Sequence, residues 1–199
     1  VLRLGQAFQA VIRKHHPLRT TFAEKEGRPV QLIHDQVDFK LQEADVRGQG
    51  DGLQQASRLL RSFLARPFAL NKKGPMIRAM VCTVSEKTHL LGIVVHHIAI
   101  DGLSQVPFWS DLSEAYMTRG KPLAALPVEY ADFCVWERSW LESAECQQQL
   151  EYWRQRIGED PEPLALYPDK PRPPSVTYTG ALLTKSFDEL VEPLQALAR

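Results

Sequence analysis

HLLGIVVHHIAIDG, residues 89–102, joins an apolar run to a histidine pair and an Asp-Gly sequence, and the predicted fold rests on it. Its first seven residues are almost wholly apolar and end in β-branched side chains, which predicts a strand at the centre of a sheet. Asp101 and Gly102 favour a turn, and Ser104 can cap a helix that runs to about Arg119. The stretch therefore predicts a buried strand, a polar turn and a helix, with two histidines where the strand meets the turn.

The two histidines, His96 and His97, cannot both face one cavity if the strand continues to its end. Adjacent strand residues point to opposite faces, so one imidazole faces packing and the other faces an opening. This geometry argues against a metal site, because metal ligands must converge. It favours one working imidazole, able to accept a proton near neutral pH, beside one structural imidazole. Spacing alone does not exclude the alternative that the two histidines simply end a strand and have no chemical role.

Asp101 and Gly102 extend the candidate site into the turn. Asp101 can orient the loop, and a buried carboxylate at this position needs a cationic partner. Gly102 can turn where a side chain would clash and can bring a backbone N–H close to a bound substrate. Another histidine pair, His15 and His16, lies at a helix end and is not expected to act directly in catalysis.

Around this stretch, helical and extended patterns alternate along the chain. Helices are predicted at residues 1–13, 53–64, 104–119, 129–141, 145–157 and 188–199, and strands at residues 18–23, 30–34, 76–84, 89–95 and 177–187. Six prolines within residues 159–175 favour an extended connector. Helical patterns are already under way at Val1 and still running at Arg199, so we expect a piece of a longer chain.

The composition excludes several classes of function. The 199 residues carry 24 basic and 24 acidic side chains, so no basic excess indicates a nucleic-acid or membrane-surface binder. No signal peptide or membrane-spanning stretch is visible. Cys82, Cys134 and Cys146 are widely spaced, without a CxxC pair, and fit neither a disulfide framework nor a zinc site. We therefore expect a cytoplasmic protein, with Cys82 and Cys134 in the core.

Three segments carry a resemblance to a known family. HHIAIDG, residues 96–102, resembles the HHxxxDG signature of condensation domains of nonribosomal peptide synthetases. Wax-ester synthases and other relatives of chloramphenicol acetyltransferase also carry HHxxxDG or HxxxD. KHHPLRTTF, residues 14–22, is similar to the condensation-domain segment RHExLRTxF, with Lys14 for the first Arg and His16 where Glu is common. YADFCVW, residues 130–136, is similar to YxDYAVW, with mild replacements.

The resemblance implies an α/β fold in which helices flank a mixed sheet, forming the N-terminal lobe of a chloramphenicol acetyltransferase-like, two-lobed fold. Residues 1–158 are expected to form this lobe, residues 159–175 the Pro-rich connector, and residues 176–199 the start of the crossover into a C-terminal lobe. LEYW at 150–153 and PDKPRP at 168–173 also look like the family's linker region. Because the active site of the family lies between two lobes, the fragment alone is expected to be inactive.

The implied reaction is amide formation between a carrier-bound acyl or peptidyl thioester and a carrier-bound aminoacyl amine, in peptide or hybrid polyketide-peptide synthesis. The resemblance implies no directly bound cofactor and no metal, because phosphopantetheine arms of partner domains carry the substrates. The implied partners are peptidyl or acyl carrier protein domains and adjacent synthetase domains.

The resemblance assigns catalysis to His97, either as a general base or as a group that positions and stabilises the amine. His96, Asp101 and Gly102 complete the motif, and the backbone N–H of Gly102 is expected to help shape the thioester site. Asp101 is interpreted as structural, in a buried ion pair with Arg19 that the resemblance also suggests.

Two other functions stay open. One is a CoA-dependent O-acyltransferase of the same superfamily, against which the segments at Arg19 and at residues 130–136 argue. The other is a non-catalytic module that docks a carrier or a tailoring enzyme. The intact His97 and Asp101 argue against that second alternative.

Overall fold

The computed structural model describes residues 1–48, 50–158, 160–162, 164, 169–171, 173–175 and 180–198. The chain divides into two compact units, Val1–Gln148 and Gln149–Arg199. In chain order the elements are α1 (Leu2–Lys14), β1 (Thr20–Lys25), β2 (Arg28–Ile33), β3 (Gln42–Asp45), α2 (Gly52–Leu64), β4 (Ile77–Thr83), β5 (His89–Val95), α3 (Gln105–Met117), α4 (Tyr130–Leu141), α5 (Ala144–Ile157) and α6 (Val191–Leu197). Short 3₁₀ turns lie at His16–Arg19 and Asp188–Leu190.

The first two strands form an antiparallel hairpin in which Lys25 pairs with Arg28. Its two-residue turn, Glu26 and Gly27, has φ values of 54° and 73°. Two successive positive φ values match the right-handed twist of the strands that such a turn joins. The two strands predicted at residues 18–23 and 30–34 are therefore confirmed, although β1 starts later than predicted because residues 16–19 form a 3₁₀ turn.

The second sheet has the order β3-β4-β5, with β3 parallel to β4 and β4 antiparallel to β5. The bounds predicted for β5 are confirmed, but its predicted central position is wrong because β5 lies at an edge of this sheet. Helices cover both faces of the sheet, and this burial explains why β5 is apolar although only one of its edges has a neighbouring strand. The polar β3 strand was not predicted, since QEAD lacks an apolar alternation.

Helices cover the two faces of this sheet in separate clusters. On one face, α1 and α3 pack on alternate residues of β4 and on the end of β5. On the other face, α2 packs on the intervening residues, including Cys82. At Gly92 of β5, an added Cβ would lie 2.6 Å from the Leu60 Cδ2 atom, so glycine is what allows α2 to lie this close to the strand.

In the second unit every described residue is exposed. The strand predicted at residues 177–187 is wrong over residues 180–187, which have no regular structure, and residues 176–179 lie outside the described residues. Leu182 and Leu183 are 92% and 95% exposed, so this apolar run lacks the neighbouring strand that a ladder needs. The predicted connector, residues 159–175, lies partly outside the described residues, and its described residues belong to no helix or strand.

Every helix of the described residues is too short or too polar to cross a lipid bilayer.

Candidate active site

The site begins where β5 ends. The backbone N–H of His96 donates to the Met76 carbonyl oxygen at 2.9 Å, which continues the pairing of β5 with the chain before β4. The His96 carbonyl then accepts the Ala99 N–H at 2.9 Å, so the chain turns immediately after the histidine pair. This turn places residues 96–102 between the sheet and the start of α3.

The His96 side chain is held in place on two sides. Its Nδ1 atom accepts the backbone N–H of Ile98 at 3.0 Å, so a neutral ring carries its proton on Nε2. The ring also makes an edge contact with Phe68, with centroids 5.8 Å apart and planes at 88°. These contacts give His96 a packing role.

Phe68 is itself fixed by Arg78 of β4. The Arg78 guanidinium lies 4.2 Å from the Phe68 ring centroid, and it donates a hydrogen bond to the carbonyl oxygen of Arg66. Burial, followed by the charge of Arg66, lowers the pKa of Arg78. The three side chains contact one another in the order Arg78–Phe68–His96 and link the chain after α2 to the histidine pair.

His97 has a different environment. Its side chain is exposed and lines a cavity of about 340 Å³ beside the start of α3. In the part of the chain that the structure describes, no hydrogen bond or ion pair engages the ring. The full lining of the cavity is Ile93, Val95, His97, Ile100, Asp101, Gly102, Gln105, Phe108 and Trp109.

Asp101 is bound within its own turn. Its Oδ1 atom accepts the Ser104 N–H at 2.9 Å and the Ser104 hydroxyl at 2.6 Å. The Ser104 hydroxyl oxygen accepts the backbone N–H of Asp101 at 3.2 Å. Hydrogen bonds from the Ser104 side chain and backbone hold the pKa of Asp101 below its usual value. Ser104 precedes α3 as predicted, but its hydroxyl bonds Asp101 and makes no bond to a helix N–H.

The predicted ion pair between Asp101 and Arg19 is wrong. Arg19 donates from Nη1 to the His34 carbonyl oxygen at 2.6 Å and lines a separate cavity of about 230 Å³. Asp101 is exposed, so its carboxylate is solvated and has no need of a buried cation. Among the described residues, no ion pair joins the two side chains.

Gly102 lines the cavity but does not lie in a tight space. An added Cβ would meet no atom of the described chain within 4 Å, and its φ lies outside the left-handed region. The predicted clash with a side chain at this position is therefore wrong. An approach of its backbone N–H to a substrate stays a prediction.

A buried charged group of α3 was missed from the sequence. Asp111 of α3 is 7% exposed; its Oδ1 atom lies 2.8 Å from Lys14 Nζ and its Oδ2 atom 2.7 Å from His15 Nε2. Burial acts to raise the pKa of Asp111, but the hydrogen bonds and charges of Lys14 and His15 outweigh it and lower the pKa.

The sequence signal that could have identified Asp111 is its position among apolar residues on one face of the predicted helix. Phe108, Asp111, Leu112 and Ala115 follow the spacing of one helix face, and all four are buried. A carboxylate at such a position requires partners, which here come from the far end of α1. His15, expected to have no direct catalytic role, thus joins α1 to α3.

Comparisons with known proteins agree with these motifs. A family model described as the condensation domain matches residues 1–199. A protein of the linear gramicidin synthase of Brevibacillus parabrevis is 41% identical over 201 residues, which cover 98% of this chain and 3% of that protein. Bacitracin synthase 3 of Bacillus licheniformis is 34% identical over 186 residues, covering 94% of this chain and 3% of that protein. The chain spans only a few per cent of the length of the curated relatives it matches.

Solved structures give the same match. The X-domain from teicoplanin biosynthesis aligns with a TM-score of 0.73 and 28% identity, covering 86% of this chain and 38% of that chain. The first condensation domain of the calcium-dependent antibiotic synthetase, in complex with a substrate analogue, aligns with a TM-score of 0.67 and 25% identity. That alignment covers 82% of this chain and 40% of that chain.

Proposed function

This chain belongs to the condensation-domain family of nonribosomal peptide synthetases, and we propose that it supplies His97 to the amide-forming site of such a synthetase. The observation that supports the proposal is the difference between two neighbouring imidazoles. The His96 ring is bound by Ile98 and Phe68, whereas the His97 ring has no hydrogen bond within the described chain and faces a cavity. An imidazole without a hydrogen-bond partner, beside a substrate-sized cavity, is free to exchange a proton with a bound ligand.

The proposed reaction joins two substrates carried on the phosphopantetheine arms of partner carrier domains. The acceptor amine attacks the thioester carbonyl carbon, the C–N bond forms, and the C–S bond breaks to release the donor thiol. The His97 imidazole accepts a proton from the attacking amine and returns it to the departing sulfur. General-base help is worth about 10²- to 10⁴-fold, and the alignment of two tethered reactants contributes separately.

The turn after His97 has a supporting part in this proposal. The reciprocal bonds between Asp101 and Ser104 fix the turn. The Gly102 backbone lies at the cavity wall, where its N–H can meet the thioester oxygen as charge develops. Asp101 is thus a positioning residue, and it acts through Ser104 and not through Arg19.

We also infer the surroundings of the site from the family. Residues 1–158 are the first lobe, residues 159–175 the connector, and residues 176–199 the start of the crossover, while a second lobe completes the active site between the lobes. The donor and acceptor carriers and the adjacent synthetase domains are the partners, and the fragment alone is inactive. The three free cysteines fit a reducing cytoplasm.

The test is amide formation by the complete synthetase, loaded with its donor and acceptor substrates. We expect His97→Ala to lower the single-turnover rate by about 10²-fold or more if His97 is the base. A loss below tenfold assigns it a positioning role. His89→Ala is the matched control, because His89 is an exposed histidine at the other end of β5. Unchanged product formation by His97→Ala contradicts the proposal.

A docking function is the second candidate, supported by one specific observation. The X-domain from teicoplanin biosynthesis was solved in complex with OxyB, and it aligns with this chain at a TM-score of 0.74 and 29% identity. Product formation that survives His97→Ala supports this function. The CoA-dependent alternative is tested separately, by comparing acyl-CoA with acyl-loaded carrier as the donor.

A further inference from the structure

We propose that the cavity beside His97 takes an uncharged, apolar side chain of a carrier-bound substrate, and that Trp109 and Gln105 set this preference. The inference rests on the proposed function, because His97 marks the end of the cavity at which the reaction occurs. It adds the chemical class of the substrate, which the family match leaves open.

Five of the nine residues that line the cavity are apolar. They lie on β5, on the first turns of α3 and, for Ile100, in the turn between these two elements. The apolar lining residues are Ile93, Val95, Ile100, Phe108 and Trp109. With a volume of about 340 Å³, the cavity can hold a side chain the size of leucine or phenylalanine.

Some of the polar lining groups already have hydrogen-bond partners. The Trp109 indole N–H donates to the Gln105 Oε1 atom at 3.2 Å. Both bonds from Ser104 go to Oδ1 of the Asp101 carboxylate, so its Oδ2 atom can still meet a ligand. The other polar groups that can do so are the His97 imidazole, the Gln105 amide NH₂ and the Gly102 backbone, and none of these three carries a permanent charge.

This arrangement discriminates against charged side chains. Among the described residues no lysine or arginine lines the cavity, so a carboxylate that enters loses its water without gaining a cation. An ammonium group can meet Oδ2 of Asp101, but this carboxylate is exposed, and an ion pair in water contributes little affinity. An apolar side chain needs no charged partner and gains apolar contact with the strand and the helix.

Trp109 is placed to set the depth of the cavity. Its ring meets Phe108 edge to face, with centroids 5.3 Å apart and planes at 78°, and its indole N–H is tied to Gln105 one turn earlier. Two attachments fix the indole as a wall and leave 47% of Trp109 exposed. Truncating Trp109 therefore deepens the cavity, while a charged residue in place of Gln105 gives the cavity a charge.

The first test measures binding and needs no turnover. The complete condensation domain is labelled with ¹⁵N-tryptophan, and Trp109→Phe assigns the Trp109 indole signal. Aminoacyl pantetheine amides of leucine, phenylalanine, aspartate and lysine are then titrated. We expect the leucine and phenylalanine probes to shift the Trp109 signal at concentrations at least tenfold below the other two. Equal shifts from all four probes, or no shift of this signal, overturn the proposal.

The second test measures selectivity in the complete synthetase by competition between substrates. We expect Trp109→Ala to raise the rate ratio of 2-naphthylalanine to leucine by about tenfold, in line with the 10- to 200-fold effect of small changes in apolar pockets. We expect Gln105→Lys to raise the ratio of aspartate to leucine by a similar factor. Trp136→Ala is the matched control, because Trp136 is a half-exposed tryptophan of α4 outside this cavity.

Ratios that stay constant in both cavity variants overturn the proposal. Since each ratio compares two products of one enzyme, a general loss of activity does not change it. The failure of the proposed function is seen separately, as product formation that survives His97→Ala. The binding pattern of the pantetheine probes then still decides the chemistry of the cavity.

Discussion

Two histidine–aspartate regions of this molecule use the same residue types for different purposes. At the junction of α1 and α3, His15 and Lys14 enclose the buried Asp111. At the end of β5, His97 has no such partner among the described residues, and the exposed Asp101 bonds Ser104. Burial and the local element, not the residue pair, therefore decide which region stabilises the fold and which is left free to react.

The largest expected effect on stability comes from Asp111→Ala. It leaves Lys14 and His15, whose side chains are 14% and 21% exposed, without their carboxylate. We expect the free energy of unfolding to fall by about 3–5 kcal/mol, as for other broken buried pairs. Urea denaturation followed by circular dichroism measures it.

Asp101→Ala is the matched control for that change. Because Asp101 is exposed and bonds within its own turn, we expect a much smaller loss than for Asp111→Ala. Equal losses for the two aspartates would erase the contrast between the two regions.

The second effect is acid destabilisation through Asp111. Its pKa in the folded chain lies below the ordinary value of 3.8, so its contribution to stability is complete above that value. The contribution is lost as the pH falls toward and through the folded pKa. We expect the wild-type chain to lose more stability than Asp111→Asn between pH 5 and pH 2, as measured by urea midpoints at each pH. Parallel curves would remove Asp111 from the acid response.

A smaller effect on stability is expected at Phe68, beside the His96–His97 pair. Phe68→Leu keeps an apolar side chain but removes the ring contacts with His96 and Arg78, at a cost of about 0.5–1.5 kcal/mol. The expected signature is a changed ¹⁵N shift of the His96 ring in the same variant. Phe187→Leu, at a half-exposed ring of the second unit, is the control. An unchanged His96 signal would show that Phe68 does not hold this ring.

The smallest effect on stability is expected at Gly102→Ala. The new methyl group meets no described atom within 4 Å and requires no left-handed backbone, so the change should stay within about 0.5 kcal/mol. If amide formation by the complete synthetase falls while the melting temperature is kept, the Gly102 backbone acts on the substrate. A large drop in melting temperature would mean that the turn is more crowded than its geometry indicates.

Local patterns explain which parts of the fold were predictable. The apolar run predicted β5 at its observed bounds, and the helical patterns predicted α1, α2 and α3 to within two residues at each end. The edge position of β5 was not predictable, because an apolar sequence indicates that the faces of a strand are buried but not how many strands pair with it.

The contacts of the site were harder to predict because they join distant parts of the chain. Asp111 lies 96 residues from His15, and Arg19 lies beside His34 instead of Asp101. The sequence alone identified the residue types of the motif but assigned the buried ion pair to the wrong aspartate. The exposed Asp101 was assigned the buried pair, and the buried Asp111 was overlooked.

The edge position of β5 has a consequence for assembly. Within the described part of the chain, one side of this strand presents peptide groups without a neighbouring strand, and such groups accept another strand readily. A segment that paired with this side would lie directly beside the backbone that leads into His97, because the seven residues that form the open edge end at the histidine pair.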